Sequence, residues 1–234
     1  AATPESCRRR IEGYKARCPQ FEAVYYTAAQ AANLTENLRT TLQRRVVRPE
    51  GKKIPPPKLL ITTNLDNDDA FSSDVVELLQ RELRPAPGKR IYSLLYGYQY
   101  FTDRRFALKM RYTNNHFLTL AEPFDAHAET IFLPPANHNF PPRHTKAIRQ
   151  LPTIYLSTAR GKWLEIVHED NVSNDFRINI KVWYIPLLYG RSFADFGLGG
   201  FRLSCARQCA AALLVVPARF FATAVRRLRR KWSK

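Results

Sequence analysis

The chain has 234 residues, enough for one large domain or one domain with an appendage. Its hydrophobic fraction of 45% and aromatic fraction of 12% supply a proper core and exclude disorder throughout. Lys plus Arg is 37 against 20 Asp plus Glu, a net +17 that invites an anionic partner.

The charge is uneven. After Asp195 there is no acid, whereas Arg202, Arg207, Arg219, Arg226, Arg227, Arg229, Arg230, Lys231 and Lys234 are basic, so about half the excess belongs to the end of the chain. Cys7, Cys18, Cys205 and Cys209 form no CxxC pair and no His/Cys ligand grouping, and they are too scattered for a disulfide framework. No unbroken apolar run approaches twenty residues, which predicts no transmembrane helix. The expected location is the cytoplasm, or peripheral on the inner face of the cytoplasmic membrane.

Thr3-Pro4-Glu5 predicts a helix start, with Pro at its first position, running to about Arg17. Phe21 to Tyr26 predicts a short strand, and Ala28 to about Arg45 returns to helical spacing through Ala32, Leu34, Leu38 and Leu42. A basic, proline-rich loop ends at Pro57. The apolar run Leu59 to Leu65 then predicts a buried central strand that stops in Asp66, Asn67, Asp68 and Asp69, with a helix from Ser72 to about Leu83. The order α-β-α-β-α predicts a parallel α/β layer.

The acidic run carries the chemistry. Ligands of α/β sheets gather at the carboxyl ends of strands, and crowded carboxylates repel one another unless a cation sits among them. Hard oxygen donors suit Mg²⁺ or Mn²⁺, which bring substrate phosphates with them. Helix capping accounts for one or two such residues and poorly for the whole run.

Ile91 to Phe101 reads as one strand with Phe106 to Tyr112 as its hairpin partner. Phe117 to Ala121, Thr130 to Leu133 and Thr153 to Ser157 read as shorter strands or turns. Pro134 to Leu151 is a loop holding His138, Arg143 and His144. Lys162 to His168 is a strand that again ends in polar chemistry, Glu169, Asp170, Asn171 and Asn174. Cys205 to Trp232 turns from apolar to basic, the pattern of a segment lying on an anionic bilayer or of a solvated terminal helix.

With LITTNLDNDDA at 60–70, YGYQYF at 96–101 and WLEIVHEDNVSN at 163–174, the chain resembles the rhamnosyltransferase family of bacterial glycosyltransferases from about Thr3 to about Val182. The resemblance implies an α/β glycosyltransferase A-type fold, a mixed sheet flanked by helices. A donor-binding part would span 1–90, an acceptor part 91–195, and a basic amphipathic tail 196–234. It implies a metal-dependent hexosyltransferase that moves a sugar from a nucleotide diphosphate donor to a polysaccharide or glycolipid acceptor, with no nucleic acid as partner. Carried over, Asp68 would be the principal ligand of Mn²⁺ or Mg²⁺, Asp66 would contact metal or donor ribose, and His168 would complete the coordination. Asn67 and Asp69 would face the donor. For inverting transfer the proton acceptor would be Asp170 or Glu169, then Glu129, with a polar loop as the plain alternative. Asn171, Asn174, His138 and Arg143 would meet the acceptor, or serve only as turn and loop residues. The family supplies a first strand from before Thr3, so the expectation is of a domain truncated at its amino end. The competing expectations are a non-catalytic membrane-peripheral protein of the same fold and, from the +17, a basic nucleic-acid-binding protein.

Overall fold

The computed structural model describes residues 4–18, parts of 21–42, 58–83, 87–131 and 150–168 apart from isolated positions, 183–186, 193–198 and single positions between 204 and 225. Helix α1 (Glu5–Arg17) begins after Pro4 and buries none of its residues. Strands β1 (Leu59–Thr63) and β2 (Ala70–Phe71) precede α2 (Val75–Glu82). There follow β3 (Arg90–Leu94), β4 (Tyr96–Phe101), β5 (Phe106–Arg111), β6 (Leu118–Pro123), β7 (Thr153–Leu156), β8 (Trp163–Val167) and β9 (Trp183–Pro186), then a 3₁₀ turn at Ala194–Phe196.

The class is mixed α/β, with two mixed sheets in the orders β1-β6-β3-β7 and β2-β8-β4-β5-β9. Only β3–β7 and β4–β8 are parallel pairs among the described residues. The expected parallel layer is therefore not what forms around β1. That strand runs antiparallel to β6, with Leu59 opposite Pro123 and Thr63 opposite Thr119. Nor is β1 central: among the described strands it lies at an end of its sheet, half-buried, with Ile61 40% exposed. Its branched residues suit a strand wherever it sits, so propensity carries no information on rank within the sheet.

The segment expected as one strand from Ile91 to Phe101 is two. The chain leaves the first sheet at Leu95 and enters the second, because Leu95 donates its N–H to Leu156 O at 3.0 Å while its carbonyl receives Tyr112 N at 2.9 Å. The hairpin of β4 with β5 forms in the register Phe101 opposite Phe106. The helix expected from Ser72 begins at Val75 instead, after Ser72 Oγ donates to Asp74 Oδ1 at 2.6 Å. Phe21 and 23–26 have no strand geometry, whereas 29, 36–38 and 40–42 are helical. Thr130 and Ile131 are not in a strand.

One core joins the two sheets to α2. Val75, Leu78, Leu79 and Leu83 meet Tyr92 and Leu94 of β3, Phe101 of β4, Leu108 and Met110 of β5, Trp163 and Val167. The opposite face of the second sheet, Tyr98, Tyr100, Ala107 and Leu164, is covered by Phe193. Strand alternation divides these faces: Gly97, Gln99 and Phe101 lie beside Trp163, Glu165 and Val167, while Tyr98 and Tyr100 point the other way.

Candidate metal and ligand site

The site lies where the two sheets approach each other. Because β6 is antiparallel to β1, the residues just before β6 come next to those just after β1. Asn64 fixes this junction: its N–H donates to Leu118 O at 3.0 Å and its Nδ2 to His116 O at 3.3 Å. The chain then turns at 67–68, with Asp69 N donating to Asp66 O at 3.2 Å, and enters β2. Pairing of β2 with β8 (Ala70 opposite Leu164) ties Asp69 to the second sheet, where its Oδ1 accepts the Ile166 N–H at 3.0 Å.

Two Asp–His pairs result. His116 Nε2 is 3.1 Å from Asp69 Oδ2 and 3.9 Å from Asp66 Oδ2. His168, directly after β8, places Nε2 3.4 Å from Asp68 Oδ2. The Asp69 side chain is only 5% exposed, and that of Asp66 is 59% exposed. The acidic run thus turns one carboxylate into the protein and leaves another open to solvent.

A stack of rings holds His116. Trp163 lies over Gly97, where a Cβ would stand 1.9 Å from the indole Cδ2, so only glycine permits this approach. The indole donates Nε1–H to Leu94 O at 2.8 Å and stacks on Phe117, centroids 4.7 Å apart and planes at 13°. The rings of Phe117 and His116 are 4.1 Å apart. Behind them Glu165 is buried, receiving Gln99 Nε2 at 3.1 Å from its neighbour in the parallel register.

Burial pushes the Glu165 carboxyl up to about 7, against the pull of His116; the Asp69 and Asp68 charges push the same way as burial, and the Gln99 hydrogen bond opposes them. Burial works against a charged His116, but the Asp69 hydrogen bond and the charges of Glu165, Asp69 and Asp66 outweigh it and raise the imidazole above its ordinary value. The site favours a positive group on His116, which a proton or a metal ion can provide.

The donor set fits a divalent cation. Asp66, Asp69 and His116 each offer one ligand atom, all within 4.8 Å of one another. Two carboxylates suit Mg²⁺ or Mn²⁺, and the imidazole favours the transition metal of the two. This differs from the set implied by resemblance, because Asp66 stands with His116 and Asp69, while Asp68 and His168 form their own pair. Asn67 lies in the turn itself. Glu169, Asp170, Asn171, Asn174, His138 and Arg143, like Glu129, fall outside the described residues. Sequence reasoning missed His116. Its signal was a histidine in the short polar run Thr113 to His116 directly before an apolar strand.

Comparison of the chain with protein families, with curated proteins and with solved structures finds no match.

Proposed function

We propose that this chain is a divalent-metal-dependent glycosyltransferase that moves a sugar, rhamnose on the family resemblance, from a nucleotide diphosphate donor to a saccharide or glycolipid acceptor. The observation that carries the reading is the pairing of both signature segments at one place: the acidic run after β1 with His116, and with His168 after β8. Asp66, Asp69 and His116 would hold Mn²⁺ or Mg²⁺, with Asp68 and His168 beside them as the polar rim towards the donor. The bound cation would neutralise the negative charge that develops on the departing diphosphate. Asp69, fixed by the Ile166 N–H, keeps the site from collapsing, and the Trp163–Phe117 stack sets the plane of the His116 ring. The acceptor's proton is assigned on sequence to Asp170 or Glu169.

Incubation with dTDP-, UDP- and GDP-sugars in Mn²⁺ tests this directly. Release of nucleotide diphosphate from one donor, stopped by EDTA and absent in Asp69→Asn, is the expected result. A folded protein that releases none from any donor, in either metal and with saccharide acceptors present, contradicts it.

A further inference from the structure

We propose that the carboxyl-terminal segment from Cys205 docks the protein on the surface of an anionic lipid bilayer. The described residues of this segment, Ala206, Arg207, Cys209, Ala210, Leu213, Leu214, Pro217, Phe221 and Val225, are all helical. From Cys209 to Ala218 every residue is apolar, with Phe220 and Phe221 just beyond. The large apolar side chains described there face solvent: Leu213 is 74% exposed, Leu214 70% and Phe221 73%. Large apolar side chains at such exposure gain most from a phase that accepts hydrocarbon.

Charge selects the phase. The same stretch has no acidic residue, and Arg207, Arg219, Arg226, Arg227, Arg229, Arg230, Lys231 and Lys234 give it eight cations. Each cation near an anionic leaflet adds to the attraction, so eight supply a strong, salt-sensitive pull. The exposed aliphatic pair Leu213 and Leu214 favours lipid, since it offers hydrocarbon to a bilayer and no stacking face to a base, and Phe221 further along the chain can insert into either. Among the described residues no helix is long and apolar enough to cross a membrane. The inference stands apart from the glycosyltransferase reading, because it draws on neither the Asp–His site nor a bound nucleotide.

Co-sedimentation of the full chain with vesicles tests it, using phosphatidylcholine alone and phosphatidylcholine with about 30% phosphatidylglycerol. Binding is expected only to the anionic vesicles and is expected to fall steeply as salt rises. Leu214→Glu with Phe221→Glu should weaken it at least about tenfold by putting charge into the apolar stretch. Arg226→Gln with Arg227→Gln should weaken it about as much while leaving the apolar stretch intact. Circular dichroism and the thermal midpoint should not move in either variant, because Leu214 and Phe221 are open to solvent. Equal binding to both vesicle types, no binding to either, or binding that survives Leu214→Glu with Phe221→Glu would overturn the proposal. So would preferential capture by single-stranded RNA at the same salt.

Discussion

Glu165→Gln isolates the buried carboxyl behind the site. In the folded chain that group holds its proton up to about pH 7, against an ordinary value of 4.5. Between those values the folded state binds a proton that the unfolded state has released, so stability must fall as pH rises. The contribution is fully present below about pH 4.5 and is lost as pH passes through about 7. A difference of that size corresponds to about 3 kcal/mol at roughly 1.4 kcal/mol per pH unit. His116, raised above its ordinary value, adds a loss of the same sign as pH rises. Glutamine keeps an oxygen to accept the Gln99 amide and has no proton to lose. Urea unfolding in EDTA from about pH 5 to about pH 8, followed by the fluorescence of the buried Trp163, reads the effect. The wild type should lose about 3 kcal/mol or more across the range, and Glu165→Gln distinctly less, with only the His116 part remaining. A wild type whose stability is flat or rises over this range, or a variant with the same slope, refutes the reasoning.

Two further substitutions test the frame around the site. Gly97→Ala would set a methyl 1.9 Å from the Trp163 ring, which cannot move without losing Phe117 and the Leu94 hydrogen bond. It should cost about 3 kcal/mol or more, and a thermal midpoint within about 2 °C of wild type would count against it. Glu122 is fully buried, accepts the Thr130 N–H at 2.8 Å and pairs with Lys89 at 3.6 Å. Glu122→Ala removes both the Thr130 hydrogen bond and the Lys89 pairing and should cost about 3 kcal/mol in urea unfolding, with Glu122→Gln costing less than half as much.

The strand ends were legible because a polar run directly after an apolar one marks where a strand stops. This holds for His168 after Val167, whereas β1 stops at Thr63, two residues short of the expected end at Leu65, where Asn64 turns its N–H to Leu118 O. Glu165 was legible in principle too, since the alternation through Trp163, Glu165 and Val167 puts a carboxylate in the inward phase of the strand. What periodicity does not encode is which strands become neighbours. His116 meets Asp69 only because β1 pairs antiparallel with β6, a register set between residues more than fifty positions apart. The alternation of helices and strands suggested parallel crossovers, whereas β1 and β2 each found an antiparallel partner later in the chain. The two-residue strand β2 is too short for any periodic signal, yet it carries Asp69 to the second sheet. Leu95 hides the change of sheet because both flanking strands are buried and read as one apolar run.

The most direct measurement of the central claim is calorimetric titration of dTDP, UDP and GDP into the protein with and without Mn²⁺. The wild type, His116→Ala and Asp68→Ala should be compared. Binding of one nucleotide that requires Mn²⁺, with Mn²⁺ affinity itself lowered about tenfold or more in His116→Ala, is the predicted result. Asp68→Ala should retain more of the Mn²⁺ affinity than His116→Ala while still weakening the nucleotide. Nucleotide binding indifferent to Mn²⁺, or Mn²⁺ binding that His116→Ala leaves unchanged, would contradict the account.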